Sequence, residues 1–436
     1  MKRGMVFALA TTALATIAAA QQPAPAPAPA PVAPVSQPGH YVGVASCVSS
    51  GCHGSTHPLK ESRILQNEYY TWLNRDRHPK SYNVLFNDRS ARIVRNMRLK
   101  RKAYEETMCL DCHSMNVAHA LVSGRVEIED GVQCEACHGP ASGWRAEHTE
   151  AGWTHEKSVA RGMIDLRDIP TRATTCLACH LGNKDKGVDH ELIASGHPML
   201  AFELDNYTET MPSHWTSRKE THGVPAWAGG QAVALRDSLA NLARHARGEK
   251  WPEFSDMSCY NCHHPLESGA WRQERGWPGQ AGLPAWSPQH WAVLRQIIDR
   301  AAPSSRATLD DAIQQIGRAS RMNDPNGVAT AADGARRVIE TIVPKIAAMT
   351  WREDEIRAMM RSICGDDAVA GYDVHSAEQI ALALQTLAAA VTRNNPALLK
   401  SPMTDAVDAL FAEVQNRDRY DPNRFVQKLQ ALRGTL

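Results

Sequence analysis

Beyond residue 300 the chain falls into stretches whose apolar residues recur every three or four positions. The runs Ala307 to Ala319, Gly334 to Met349, Arg352 to Ile363, Ser376 to Arg393 and Pro402 to Ala412 share this period, with Asp or Ser near several starts. A helix returns a side chain to the same face about every 3.6 residues, so each run presents one apolar stripe. Ala377, Ile380, Ala381, Leu384, Leu387 and Ala388 form such a stripe without interruption. The spacing predicts a helical accessory domain over 301–436, a bundle without cofactor that serves as cap, brace or partner surface.

Between His40 and Arg300 the apolar period is patchy. Asp88 to Thr107 and Gly230 to Arg247 read as helices, the latter through Val233, Leu235, Leu239, Leu242 and Ala243. Loops marked by Gly187, Gly196, Pro198, Pro212, Gly223 and Pro225 lie between them, and there is little alternation of the kind a strand needs. A segment so built has a poor aliphatic core of its own. The expected fold class is mainly α, with little regular strand in a domain over 40–300 and a C-terminal helical bundle.

The amino terminus has a different character. Lys2-Arg3, an apolar stretch from Met5 to Ala20 and small residues at Ala18 and Ala20 make residues 1–20 a secretory signal peptide cut after Ala20. Residues 21–39 alternate proline and alanine, a composition that favours an extended spacer unable to build a core. The expected destination is the periplasm. Lys, Arg, Asp and Glu sum to a formal charge of only +1, which gives no bulk attraction to nucleic acid. The basic stretches Arg89 to Arg95 and Arg98 to Lys102 read first as a solvated helix face and second as a docking site for an acidic redox partner.

Cysteine and histidine change the picture. Ten of the 11 cysteines stand in pairs closed by histidine: Cys47 and Cys52 before His53, Cys109 and Cys112 before His113, Cys134 and Cys137 before His138, Cys176 and Cys179 before His180, and Cys259 and Cys262 before His263. An exported chain rich in cysteine invites a disulfide reading, but a disulfide has no use for a histidine after every pair. Two cysteines three apart lie about one helical turn apart and match the two vinyl groups of haem, while the adjacent histidine reaches the iron. Zinc could use the same residue types, yet it would need two half-sites brought together and would leave the regular adjacent histidine unaccounted for. Iron–sulfur ligation leaves all five histidines unexplained. Four residues separate Cys47 from Cys52, so the first pair must loop two additional residues out between its thioethers. The expected cofactors are five covalently bound c-type haems with their iron. Cys364, left over in a helical run, reads as a small buried hydrophobe.

The sixth ligand separates a wire from a catalyst: a second histidine saturates the iron, and an open face admits a small molecule. Candidates for the distal position are His78 before Pro79, His148 after Trp144, His197 between Gly196 and Pro198, His214 between Ser213 and Trp215, and His119. His57, His190, His264 and His290 are substitutes, and Met211 and Met257 are packing residues that could also ligate iron. Glu129, Asp130 and Glu135 read as a solvated acidic face, with tuning of haem potential as the other role.

Several blocks resemble the cytochrome c554-like multihaem family: Tyr41-Val42-Gly43 before a cysteine pair, Trp72 and His78 ahead of Asn83-Val84-Leu85, Cys109 to His113, and Gly131 to Pro140. Gly196-His197-Pro198-Met199-Leu200, Phe202-Glu203-Leu204 and Cys262-His263-His264-Pro265-Leu266 continue the likeness. The resemblance implies a mainly helical, exported electron carrier with stacked haems, mostly bis-histidine iron and sometimes one five-coordinate haem. It places His78, His148 and His197 at distal positions. The chain departs from a four-haem pattern in its fifth pair, its widened first pair and its C-terminal bundle. The expected function is one-electron transfer between periplasmic redox proteins or a membrane quinol-oxidising complex, with docking through the C-terminal helical domain. The alternative is reduction or oxidation of a small nitrogen or sulfur compound at one open haem.

Overall fold

The computed structural model describes residues 39–61, 64–216, 222–263, 284–371 and 373–436. The expected signal peptide, nearly all of the spacer, and His264 lie outside these residues. Among the described residues the chain is helical, and its extended pairings are two isolated bridges, Tyr41 with Val122 and Met257 with Trp286. No described helix is long and apolar enough to cross a membrane.

The first half is built of short helices. α1 (Glu68–Arg75), α2 (Asp88–Asn96), α3 (Thr107–His113), α4 (Cys134–His138), α5 (His155–Ala160), α6 (Ile169–His180), α7 (His190–Ala194) and α8 (Leu204–Thr210) are joined by loops and one-turn 3-10 helices. The helix expected over Asp88 to Thr107 breaks after Asn96, where Arg98 takes φ 56 and the chain turns through Ala103–Glu105 before α3. Continuing it would stack Arg101 and Lys102 over Arg98 at helical spacing, and like charges so placed oppose a helix.

Long helices form the second half: α9 (Val224–Ala246), α10 (Trp291–Ala301), α11 (Arg306–Arg321), α12 (Pro325–Ala347), α13 (Glu353–Cys364), α14 (Val374–Asn394), α15 (Pro402–Val414) and α16 (Pro422–Arg433). Each periodic run falls on one of them. α12 starts well before the expected Gly334, because Asp324 accepts the Gly327 N–H at 2.9 Å and Pro325 sets the first turn, signals that outweigh an alanine-rich entry. α16 was not among the expected runs; Asp421 caps it, and Phe425, Leu429 and Leu432 are its buried stripe.

One apolar core runs from Ile169 to Leu432. It does not stop at Arg300: α9 and α10 lie inside it, and α9 packs along α12 and α6. A glycine pair permits that approach, since a Cβ on Gly229 would stand 2.6 Å from Ile169 Cγ2 and one on Gly230 2.7 Å from Leu204 Cβ. The helices that carry and flank the fourth cysteine pair are thereby seated on the bundle. Before Ile169 the chain has only two small apolar clusters among the described residues, one around Tyr82, Leu85, Val94, Ala103 and Leu110, the other of Val42, Ala141 and Trp144.

Candidate functional site

Local helix formation presents the cysteine pairs. In α3, α4 and α6 the motif is the last turn of the helix, which places cysteines i and i+3 on one face and the histidine at the final position. Each helix ends where the next residue leaves the helical basin: Ser114 is extended, Gly139 has φ 80, and Leu181 leads into Gly182 at φ 94. Gly139 could carry no side chain, because its Cβ would stand 2.8 Å from the Gly162 carbonyl. The fifth pair forms a single turn in which the His263 N–H donates to the Cys259 carbonyl at 2.9 Å. In the widened first pair the His53 N–H still donates to the Cys47 carbonyl, at 3.1 Å, so the additional residues bulge without displacing the histidine. All ten motif cysteines are free thiols rather than disulfides.

Four motif histidines each face a histidine from elsewhere in the chain. Ring centres are 6.2 Å apart for His53 and His148, 6.4 Å for His113 and His197, 6.3 Å for His138 and His214, and 6.4 Å for His180 and His78. Those gaps are too wide for a hydrogen bond between the rings. Two imidazole nitrogens about 2 Å from a shared metal, with ring centres about 1 Å further out, give a separation of roughly 6 Å. The four pairs therefore fit an iron held from both faces, and the cysteines beside them fit the attachment of its porphyrin.

The ring nitrogens are prepared for that role. Nδ1 of His53 meets Glu68 at 3.1 Å, Nδ1 of His78 meets Asp76 at 2.9 Å, Nδ1 of His113 meets the Ser81 carbonyl at 3.0 Å, Nδ1 of His197 meets the Pro198 carbonyl at 2.8 Å, and Nδ1 of His148 meets the Arg145 carbonyl. A proton donated from Nδ1 to oxygen leaves the Nε2 lone pair for metal and fixes the ring plane. Burial pushes His138 and His180 down to about 4, and burial also lowers His197 and His214, so these rings are held neutral, the form that ligates. The value of Gly196 beside His197 lies in its φ of 121 rather than in space, since its nearest neighbours would be in ordinary contact with a Cβ.

The pairs are also close to one another. The Cys47 thiol lies beside that of Cys134, the Cys112 thiol beside that of Cys179, and Cys137 lies near Cys176 and Cys179. Ser81 Oγ donates to both the His78 carbonyl, at 2.6 Å, and the His113 carbonyl, at 2.8 Å, tying two ring pairs together. Cys259 Sγ is 3.9 Å from Met199 Sδ, two residues beyond His197. Contact thus orders the motifs as first, third, fourth, second and fifth.

Other expected residues fall differently. His119 is exposed on a one-turn helix, with no ring contact to a described motif histidine. His263 is exposed and likewise has no described ring partner. Glu135 is not on a solvated face: it is buried, and its carboxylate accepts N–H groups from Val42 at 3.0 Å, Gly43 at 2.8 Å and Ala141 at 2.7 Å. It fastens the amino-terminal segment to α4, a role its place inside a motif disguised. His375 in α14 is buried, hydrogen-bonded to Glu378 and seated beside Cys259; a lone histidine at the start of an apolar helix carried no sign of this. Asp205, Glu209 and His222 bring ligand atoms within 4.8 Å of one another, but Asp205 already holds the Gly223 N–H and Glu209 faces Arg393.

The model of the family described as cytochrome c554 and c-prime matches residues 47–139. The match takes in the first three cysteine pairs with His78 and ends at Gly139. No curated protein and no solved structure matches the chain. A mostly helical fold with almost no strand, together with this cytochrome c554-like region, is consistent with electron transfer.

Proposed function

We propose that this chain is an exported multihaem c-type cytochrome that passes single electrons between redox partners along five covalently attached haems. The observation that carries the reading is the set of four histidine pairs, each joining a motif histidine to a distant one across 6.2 to 6.4 Å. In this reading Cys47, Cys52, Cys109, Cys112, Cys134, Cys137, Cys176, Cys179, Cys259 and Cys262 carry thioethers, His53, His113, His138, His180 and His263 are proximal ligands, and His148, His197, His214 and His78 cap the first four irons. The cofactor supplies a reversible one-electron iron couple. The protein supplies fixed ring planes, saturated ligation and short spacing between neighbours.

Saturated iron favours transfer over turnover. The alternative, chemistry on a small nitrogen or sulfur compound, is confined to the fifth pair, whose His263 has no described ring partner. Titration of the oxidised protein with cyanide or nitric oxide separates the two: absorption bands unmoved at all haems support the carrier, and a band that shifts at stoichiometric ligand supports the catalyst.

For a partner, the surface beside the second pair has the right chemistry. Arg92, Arg95, Arg98, Lys100 and Lys102 are exposed and in no ion pair with a described residue, and Phe86, 57% exposed, stacks on Tyr104 at 4.3 Å next to them. An aromatic centre ringed by cations suits an acidic redox protein. With flavodoxin as the acidic donor, the bimolecular rate is expected to fall about tenfold in Arg92→Glu/Arg95→Glu at low salt and to converge with wild type at high salt. Equal rates at low salt would move the port elsewhere.

A further inference from the structure

We infer that His375, contributed by the C-terminal bundle, is the second axial ligand of the iron at the Cys259–Cys262–His263 site. The inference rests on the haem reading above and supplies the one distal ligand it leaves unassigned.

The argument starts from a parallel. His78, which faces His180, has its Nδ1 held by the Asp76 carboxylate at 2.9 Å and lies beside Cys179, the second cysteine of the pair it serves. His375 repeats the arrangement. Its Nδ1 meets the Glu378 carboxylate at 3.3 Å, and its ring reaches Cys259, the first cysteine of the fifth pair. A carboxylate on Nδ1 directs the Nε2 lone pair outward, and here a haem attachment point lies within reach. Arg417 pairs with Glu378 at 2.9 Å and holds that carboxylate in place.

The backbone reinforces this juxtaposition. The Ser258 N–H and the Asn261 side chain both donate to the Ala285 carbonyl, at 2.9 and 3.1 Å. Two residues on, Ser287 Oγ donates to Asp373 Oδ2 at 2.9 Å, and Asp373 is the N-cap of α14, two residues before His375. Thus a short bridge fastens the fifth motif to the first turn of α14. Competing histidines nearby are spoken for or misplaced. His245 has both ring nitrogens engaged, by Asp256 at 2.7 Å and Arg244 at 2.9 Å. His290 is buried with neither ring nitrogen partnered, and it makes no described contact with Cys259 or Cys262.

Coordination would form one Nε2–iron bond with no change of oxidation state, and the Nδ1 proton would remain on the ring toward Glu378. The bundle then completes an electron-transfer centre instead of bracing one, and all five irons are six-coordinate.

The test compares wild type, His375→Gly and His290→Ala as full-length exported proteins. Peptide mass mapping first establishes whether residues 259–263 carry a tetrapyrrole; its absence in wild type would defeat the haem reading at this site. Where it is present, low-temperature electron spin resonance of oxidised His375→Gly is expected to show one haem in five converted from low to high spin at unchanged haem content. Added imidazole is expected to restore the low-spin signal, a rescue that distinguishes a missing ligand from a disturbed fold. Wild-type spin state in His375→Gly would overturn the inference, as would a high-spin signal from His290→Ala alone.

Discussion

The two halves of this molecule solve the problem of burial differently. From Ile169 onward the helices share one apolar core in which Trp227, Leu235, Ile297, Leu384 and Phe425 are fully enclosed. From Gly39 to Leu166 the described chain has two small clusters and a series of turns. Apolar burial stabilises at about 25 cal/mol per Å², and this scarcity of buried side chains leaves the region short of what its ordered backbone costs. Its histidines and cysteines converge where a core would otherwise be, and flat apolar cofactors at its three cysteine pairs would supply the missing surface. The difference teaches that the bundle follows its sequence pattern, while the first region has little apolar core of its own and, on the proposed reading, would fold around what it binds.

Preventing attachment should break the comparison most sharply. In Cys112→Ala/Cys137→Ala/Cys179→Ala, limited proteolysis is expected to cut within residues 39–166 on the order of a hundred-fold faster than in the loaded protein, while 290–436 stays protected. Equal protection of both regions would mean that the first has sufficient packing of its own.

Truncation of the two cores sharpens the same contrast. Leu384 is wholly buried in the large core, and Leu384→Ala is expected to cost about 3 to 5 kcal/mol by chemical denaturation. Leu85, in a small cluster that can collapse around the loss, is expected to cost only about 2 kcal/mol in Leu85→Ala. Comparable costs would contradict the division.

A pH-dependent effect lies at the joint. Glu203 caps α8 through the Asp205 and Asn206 N–H groups, and Asn206 reaches Leu382 and Thr386 on α14. Burial, and then the neighbouring Asp205, push its carboxyl up to about 7. The folded state therefore binds this proton more tightly than the unfolded chain. Its contribution is complete below the ordinary value of 4.5 and is lost as pH rises through about 7. The loss is at most about 3 kcal/mol, because each tenfold difference in proton affinity is worth roughly 1.4 kcal/mol. Urea midpoints between pH 5 and 8 are expected to fall in wild type relative to Glu203→Gln; parallel curves would remove the joint from the account.

What could be read from the sequence follows the range of the interactions. The cysteine pairs with their histidines were legible because attachment chemistry lies within a few adjacent residues. His78, His148, His197 and His214 stood out through neighbouring proline, glycine or tryptophan, but which motif each faces depends on contacts between remote parts of the chain. His119, flanked by alanines, was the weaker candidate and is exposed. The helical stripes of the bundle were clear, whereas the core's extension back to Ile169 was not, because Gly229 and Gly230 reveal their purpose only when Ile169 and Leu204 lie against them. Glu135 and His375 act through partners far away in sequence.

The central claim is that paired thiols and paired histidines together hold five haems. The intact mass of the denatured, exported protein tests it most directly, because thioether-bound haem survives unfolding. Five haem additions to the polypeptide mass are the result this account predicts; a mass equal to the bare polypeptide would contradict it.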